Sequence, residues 1–278
     1  VPAVGYGAAD RKGQAPMAAS DSSERTEEAL GRLAPDLHEA ARGLLLEMYE
    51  AASLPGADLT ERVEIDPDVR ISIEQGAQLF RLVRDRGVVT AFEVGFAYGF
   101  STIWILAGLS GRAGSSHTAI DPFERSTWKG VGLAQAARLA ADAAFEHVED
   151  YAIHALSRMI KQGDKAQFAF IDGYHRFDDT LVEFYLADQV IEPGGVIAFD
   201  DLWMPSVRAV VDFVETNRAY RRLANPVGNM AVLEKLAEDD RPWLHYAPFD
   251  TGAAAPPPAT LAGRLRRLWS GAKRLAQD

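Results

Sequence analysis

The stretch Thr90-Ala91-Phe92-Glu93-Val94-Gly95-Phe96-Ala97-Tyr98-Gly99-Phe100-Ser101 reads as a short buried strand that runs into a glycine-bearing turn and then into an apolar helix. Val88, Val89, Ala91, Phe92 and Val94 form the apolar, β-favouring run expected of a strand covered on both faces of a parallel sheet. Gly95 and Gly99 can adopt positive φ or admit a ligand close to the backbone, and a helix starting near Ser101 offers unpaired N–H groups to an anion. The spacing Glu-x-Gly-x-x-x-Gly-x-Ser is not the Gly-x-Gly-x-x-Gly of a dinucleotide site. On these residues alone two readings stay open: a nucleotide cradle, or the tight strand-to-helix turn of any α/β protein. Glu93 favours the cradle, because a buried carboxylate without a partner is costly.

The chain of 278 residues is long enough to bury a sizeable core, and one α/β domain with helical additions is its simplest organisation. Hydrophobic residues make up 47% and charged residues 25%, as in an ordinary globular protein. A formal net charge of -11 argues against a surface that grips nucleic acid and favours a small or neutral substrate. The absence of cysteine excludes disulfides, thiolate metal sites and cysteine nucleophiles. No apolar run has the length of a transmembrane segment, and no charged start is followed by an apolar core, so the expected compartment is the cytoplasm.

Residues 1–28 carry no period and are expected to form a flexible arm, part of which would precede a natural start at Met17. Residues 29–87 are expected to be N-terminal helices. Leu37, Ala41, Leu44, Leu45 and Met48 share one helical face, and a second helix starts near Ser72 with Gln75 completing a capping box. Residues 88–238 then form the sheet-bearing domain. In it, 117–121 is a strand ending in Asp121, 133–147 an Ala-rich helix and 151–155 a third strand, followed by Ser157 and Arg158. A Pro-rich linker spans 239–260. A basic amphipathic helix at 261–278 presents Leu261, Leu265, Leu268 and Trp269 on one side, and suits packing on its own acidic domain, a neighbouring subunit, a membrane surface or an acidic partner.

Two later stretches carry the chemistry. Phe168-Ala169-Phe170-Ile171-Asp172-Gly173-Tyr174-His175 delivers a carboxylate to a strand end with an imidazole three residues on, and Val196-Ile197-Ala198-Phe199-Asp200-Asp201 repeats the design. Adjacent strands of this kind place three carboxylates and one imidazole at the sheet edge where α/β proteins bind ligands. Like charges this close call for a shared cation or proton, and oxygen-rich ligands suit Mg²⁺ or Ca²⁺ better than Zn²⁺. Helix capping by the same carboxylates stays open as the plainer reading. Leu202-Trp203-Met204-Pro205 reads as a bulky wall beside them, and 220–224 with 230–236 as a closing pair that brings the strands to seven.

The ordered set Glu93-x-Gly95-x-x-x-Gly99-x-Ser101, Asp121, Asp172-Gly173-Tyr174-His175, Pro193-Gly194-Gly195 and Asp200-Asp201 resembles the class I S-adenosylmethionine-dependent methyltransferases over about residues 71–236. Within them it is most similar to the metal-dependent O-methyltransferases, which include the catechol, caffeoyl-coenzyme A and macrolide-sugar enzymes. The resemblance implies a doubly wound, mostly parallel seven-stranded α/β sheet of the Rossmann-like kind. It also implies that Glu93, Gly95, Phe96, Gly99 and Ser101 cradle the methionine part of S-adenosyl-L-methionine, with Asp172 close by, that Asp121 takes the ribose hydroxyls and that Ser157 lies near adenine. Asp172, Asp200 and Asp201 would hold Mg²⁺ or another hard divalent cation, Asp201 replacing the Asn of the catechol enzymes. His175 would be the catalytic base, where the catechol enzymes carry Lys and the sugar-modifying ones His, which favours a sugar or natural-product hydroxyl over a catechol. A homo-oligomer through the N-terminal helices or the C-terminal helix fits the same picture. The competing classes are an NAD(P)-dependent oxidoreductase, which lacks its glycine fingerprint here, and a non-catalytic cofactor-binding subunit acting through the basic tail.

Overall fold

The computed structural model describes residues 19–58, 60–139 and 143–249. The expected helix at 261–278 and the linker beyond 249 lie outside them. The N-terminal part comprises α1 (Ala19–Leu33), α2 (Glu39–Glu50), a two-stranded antiparallel ribbon of β1 (Ser53–Pro55) and β2 (Arg62–Glu64), and α3 (Ile73–Asp85). Strands and helices then alternate: β3 (Thr90–Val94), α4 (Phe100–Leu109), β4 (Ser116–Ile120), α5 (Val131–Leu139), β5 (Ala144–Val148), α6 (Ala152–Gln162), β6 (Ala166–Ile171), α7 (Phe177–Val190), β7 (Ile191–Phe199) and α8 (Pro205–Asn217). The pair β8 (Tyr220–Arg222) and β9 (Ala231–Lys235) closes the sheet.

The seven-stranded sheet has the order β5-β4-β3-β6-β7-β9-β8, parallel throughout except for β9, which runs antiparallel to both neighbours. Both faces are covered, and the central strands show it residue by residue. Phe168 and Phe170 of β6 join a cluster with α1 to α5, while Ala169 and Ile171 join one with α6, α7 and α8. A strand buried on both sides has no polar face to alternate with, so β3, β6 and β7 appear in the sequence as unbroken apolar runs. The capping box at α3 is present: Ser72 Oγ accepts the Gln75 N–H, and Gln75 Oε1 accepts the Ser72 N–H at 2.7 Å.

Three sequence expectations are corrected. The third strand is β5 at Ala144–Val148, so the Ala-rich helix ends at Leu139 instead of running to 147, and Tyr151 caps α6 instead of opening a strand. As the edge strand, β5 has no fully buried position and hence no apolar run to mark it. Tyr151 and Ile153, the β-favouring residues that suggested a strand, are 45% and 52% exposed. The expected arm also contains the start of α1, whose Leu30 and Ala34 end bury against the helical cluster and whose Leu33 carbonyl accepts from Arg81 at 2.8 Å. A single apolar anchor per turn is too sparse to show as a period.

Helices α3 and α4 cross closely enough that a Cβ on Gly76 would lie 2.0 Å from Trp104 Nε1. That indole is fully buried and donates to Tyr49 Oη at 3.2 Å, which donates in turn to the Ile71 carbonyl at 3.1 Å. Helix propensity alone would make Gly76→Ala stabilising by about 1 kcal/mol, but overpacking a fixed indole costs roughly 1–3 kcal/mol or more. The variant is expected to unfold at lower urea concentration than the wild type, by a net loss of about 1–2 kcal/mol.

Candidate active site

The turn after β3 is built on glycine. Gly95 has φ 93°, and a Cβ there would lie 2.1 Å from the Asp172 carbonyl oxygen, so the turn rests directly on the end of β6. Gly99, at φ 80°, stands at the N-terminus of α4 and has no side-chain cap, although every residue of the helix is buried. A buried helix start with uncapped N–H groups suits a carboxylate or phosphate.

Asp121 clasps this turn. Its Oδ2 accepts the N–H groups of Phe96 and Ala97, each at 3.1 Å, and its Oδ1 accepts that of Phe123 at 2.8 Å. Asp121 is 6% exposed, and a carboxylate has about four acceptor positions, so room remains for a ligand hydroxyl.

Glu93 and Ser101 are engaged with each other beneath the turn. Ser101 Oγ donates to Glu93 Oε2 at 2.6 Å, Thr102 Oγ1 donates to Oε1, and His117 Nε2 lies 2.9 Å from Oε1, with Glu93 and His117 wholly buried. The cluster ties β3 to α4 and β4. Phe96 is likewise turned inward, with its ring against Phe145 and His147, its N–H on Asp121 and its carbonyl on the Gly99 N–H. Ser157 falls in the second turn of α6, half-buried and removed from the strand end, because β5 ends seven residues earlier than expected.

At the ends of β6 and β7, His175 Nε2 lies 3.0 Å from Asp172 Oδ1 and 3.2 Å from Asp201 Oδ2. One ligand atom from each of these three residues lies within 4.8 Å of the others, all half-buried. Two carboxylates and an imidazole fit a divalent cation with a preference for oxygen. Asp200, expected in this group, is outside it. It is 4% exposed and is held by Gln75 Nε2, by Asn229 Nδ2 at 3.3 Å and by the Asp201 N–H at 2.7 Å. Both His175 (φ 57°) and Asp201 (φ 53°) adopt the left-handed region that non-glycine residues resist. Such strain gathers at functional sites.

Burial opposes charge on His175, but the hydrogen bond to Asp172 and the charges of Asp172, Asp201 and Asp200 outweigh it and push the imidazole up to about 9. Burial raises Asp172 against the pull of His175, and raises Asp200 well above the usual carboxylate range with the Asp172 charge adding to it. The imidazolium is thus the countercharge that keeps these carboxylates together. That places His175 among the charge-balancing and ligand-type groups, in addition to the base role expected of it.

Sequence reasoning missed several neighbours. Asn229 bridges Asp200 and Asp201, while Trp203, expected as part of a wall, also donates its Nε1–H to Asp201 Oδ1 at 2.9 Å. Tyr151, Phe123 and Tyr174 form an edge-to-face row across the ends of β5, β4 and β6, with ring centroids 6.1 and 6.0 Å apart. The only sequence signal for the row is an aromatic residue two positions after Asp121 and again after Asp172. A cavity of about 470 Å³ under α6 is lined by Thr118, Glu146, Glu149, Arg158 and others, with no residue of the glycine turn or of the Asp172–His175–Asp201 group, so it is not the reaction chamber.

Residues 92–202, from β3 to just past Asp201, match the family model described as a methyltransferase domain. Over that segment the chain is similar to methyltransferase domains. Its fold recurs in solved structures of low sequence identity. An O-methyltransferase from Bacillus cereus in complex with SAH is 18% identical, with a TM-score of 0.57 over 77% of this chain and 99% of its own. TomG from Streptomyces achromogenes, an O-methyltransferase involved in tomaymycin synthesis and solved with SAM, is 19% identical, with a TM-score of 0.57 over 80% of this chain and 100% of its own. A putative O-methyltransferase from Klebsiella pneumoniae is 16% identical, with a TM-score of 0.56 over 77% of this chain and 97% of its own. No curated protein sequence matches the chain. Among the described residues no helix is long and apolar enough to cross a membrane.

Glu124, in the loop that follows Asp121, is fully buried. Its Oε1 accepts the Leu133 N–H at 3.1 Å, while its Oε2 is buried without a partner. Burial first, then the charge of Asp121, pushes its carboxyl up from 4.5 to about 8. Because the folded state holds this proton more tightly than the unfolded one, the stabilisation is complete below about pH 4.5 and is lost as pH rises towards 8. Glu124→Gln is expected to remove a loss of roughly 2–4 kcal/mol between pH 5 and pH 9, measured by urea unfolding at both pH values.

Proposed function

We propose that the chain is an S-adenosylmethionine-dependent O-methyltransferase of the cytoplasm, acting on a hydroxyl of a small sugar or natural-product acceptor with a divalent metal such as Mg²⁺ and with His175 as base. The observation that carries this reading is the contact between its two halves. The glycine turn sits on the Asp172 carbonyl, so the cofactor cradle and the Asp172–His175–Asp201 group share one crevice. The likeness to TomG supports a natural-product acceptor.

When bound, S-adenosylmethionine supplies an electrophilic methyl group and a divalent cation supplies a Lewis acid that makes a hydroxyl more acidic and orients it. Asp172 and Asp201 would hold the cation, whose charge would displace the proton from the neighbouring His175; the start of α4 and Asp121 would hold the cofactor. Holding the acceptor oxygen in line with the methyl group supplies about 7–11 kcal/mol of barrier reduction. Trp203 and Tyr174, 63% and 42% exposed, flank the group and offer flat faces to a sugar or aromatic ring. With its proton displaced by the bound cation, His175 Nε2, placed between two carboxylates, would receive the hydroxyl proton.

In heat scans, S-adenosylhomocysteine at a hundred times its dissociation constant is expected to raise the midpoint by about 5 °C, and NAD to leave it unchanged. Stabilisation by NAD instead would return the oxidoreductase reading. Asp201→Asn and His175→Gln are expected to keep that stabilisation while lowering turnover by roughly 10²–10⁴-fold. Full turnover in excess chelator would remove the metal from the proposal.

A further inference from the structure

Glu183 on α7 has no part in the chemistry above, yet it is placed against it. It is 5% exposed, and its Oε1 would lie 2.4 Å from a Cβ on Gly173. The Tyr174 N–H favours the charged form of its carboxylate, while its Oε2 is buried without a hydrogen-bond partner. Burial, followed by the charge of Asp179, pushes the carboxyl up to about 7. A buried acceptor lacking a partner costs folding free energy, so a gain elsewhere has to justify it.

The turn above it supplies that gain. Residues 172–175 must set Asp172 and His175 on either side of one point while His175 holds φ 57°. The turn is anchored at its start by the Asp172 N–H on the Val94 carbonyl at 2.9 Å and at its end by Ser206 Oγ on the His175 carbonyl, and in the middle it packs against Glu183 at Gly173. The missing side chain at Gly173 is what lets the carboxylate come this near.

We propose that Glu183 is a positioning residue, which fills the space over Gly173 so that the strained 172–175 turn keeps Asp172 and His175 aimed at one binding point. The proposal rests on the reading of Asp172, His175 and Asp201 as a divalent-ion site. Partners that orient metal ligands typically govern affinity by 10–100-fold without touching the ion. A residue kept for overall stability would be paired; this one is retained at a cost, so its removal separates local shape from global stability.

The test uses full-length wild type, Glu183→Ala and Glu183→Gln. Manganese affinity is read by electron paramagnetic resonance, exchange of the Tyr174 amide by hydrogen–deuterium exchange, S-adenosylhomocysteine affinity by calorimetry, and stability by thermal unfolding. In E183A, manganese is expected to bind about tenfold more weakly or worse and the Tyr174 amide to exchange about tenfold faster. Its unfolding midpoint should stay equal or rise, with S-adenosylhomocysteine affinity kept within about twofold of wild type. E183Q retains an acceptor oxygen and should stay within about threefold of wild type in every readout. Wild-type manganese affinity and amide exchange in E183A would overturn the proposal, as would loss of fold or of S-adenosylhomocysteine binding. A wild type with no manganese affinity would sink the metal reading instead, and amide exchange with its recovery in E183Q would then decide the role of Glu183.

Discussion

Gly95 and the Asp172 carbonyl leave no room between them for a side chain, and the geometry of the site follows from that contact. Strands β3 and β6 lie side by side in parallel, with Val94 paired to Ile171 and the Asp172 N–H bonded to the Val94 carbonyl. The turn after one strand and the carboxylate after the other are therefore fixed by the same ladder of hydrogen bonds. The order β4-β3-β6 sends consecutive connections to opposite sides of β3, which opens a crevice at the strand ends. A ligand seated on the glycine turn cannot be far from Asp172, whatever its identity.

Several acidic residues meet near that edge, and each is neutralised differently. Glu93 takes two hydroxyls and an imidazole, Asp121 takes three backbone N–H groups, and Asp200 takes two side-chain amides and one backbone N–H. Asp172 and Asp201 share the one imidazole of His175. Two carboxylates facing one cationic group make the arrangement in which a doubly charged ion gains most, because repulsion between them is the quantity it relieves. Dipolar neutralisation at Asp200 and Asp121 leaves less for a cation to gain there.

The central strands were legible because burial on both faces writes itself as apolar runs ending in Asp121, Asp172 and Asp200-Asp201. The edge strand β5 was not, and the error carried forward. A strand placed at 151–155 made Ser157 a loop residue, whereas it belongs to α6. Which of two adjacent aspartates joins the cluster is equally invisible in sequence. Alternation along an extended β7 would send them to opposite faces, but the left-handed turn at Asp201 brings that residue to His175 while Asp200 stays with Gln75 and Asn229. Those amide partners come from α3 and from the loop before β9, at separations for which spacing carries no signal.

Holding His175 and Asp201 in the left-handed region costs of order 1–3 kcal/mol at each, and the neighbours show what maintains it. The Ser206 hydroxyl bonds the His175 carbonyl, while Asn229 and the Trp203 indole both donate to Asp201 Oδ1. Trp203 thereby belongs to two functions at once, presenting a largely exposed ring to the crevice while fixing one oxygen of a charged group through its N–H. An acceptor that shifts the ring also shifts the oxygen. On the proposed reading, selection of the acceptor by shape and arrangement of the carboxylates would be coupled through the Trp203 hydrogen bond of 2.9 Å, so a poorly fitting acceptor would disturb the group needed for its own reaction.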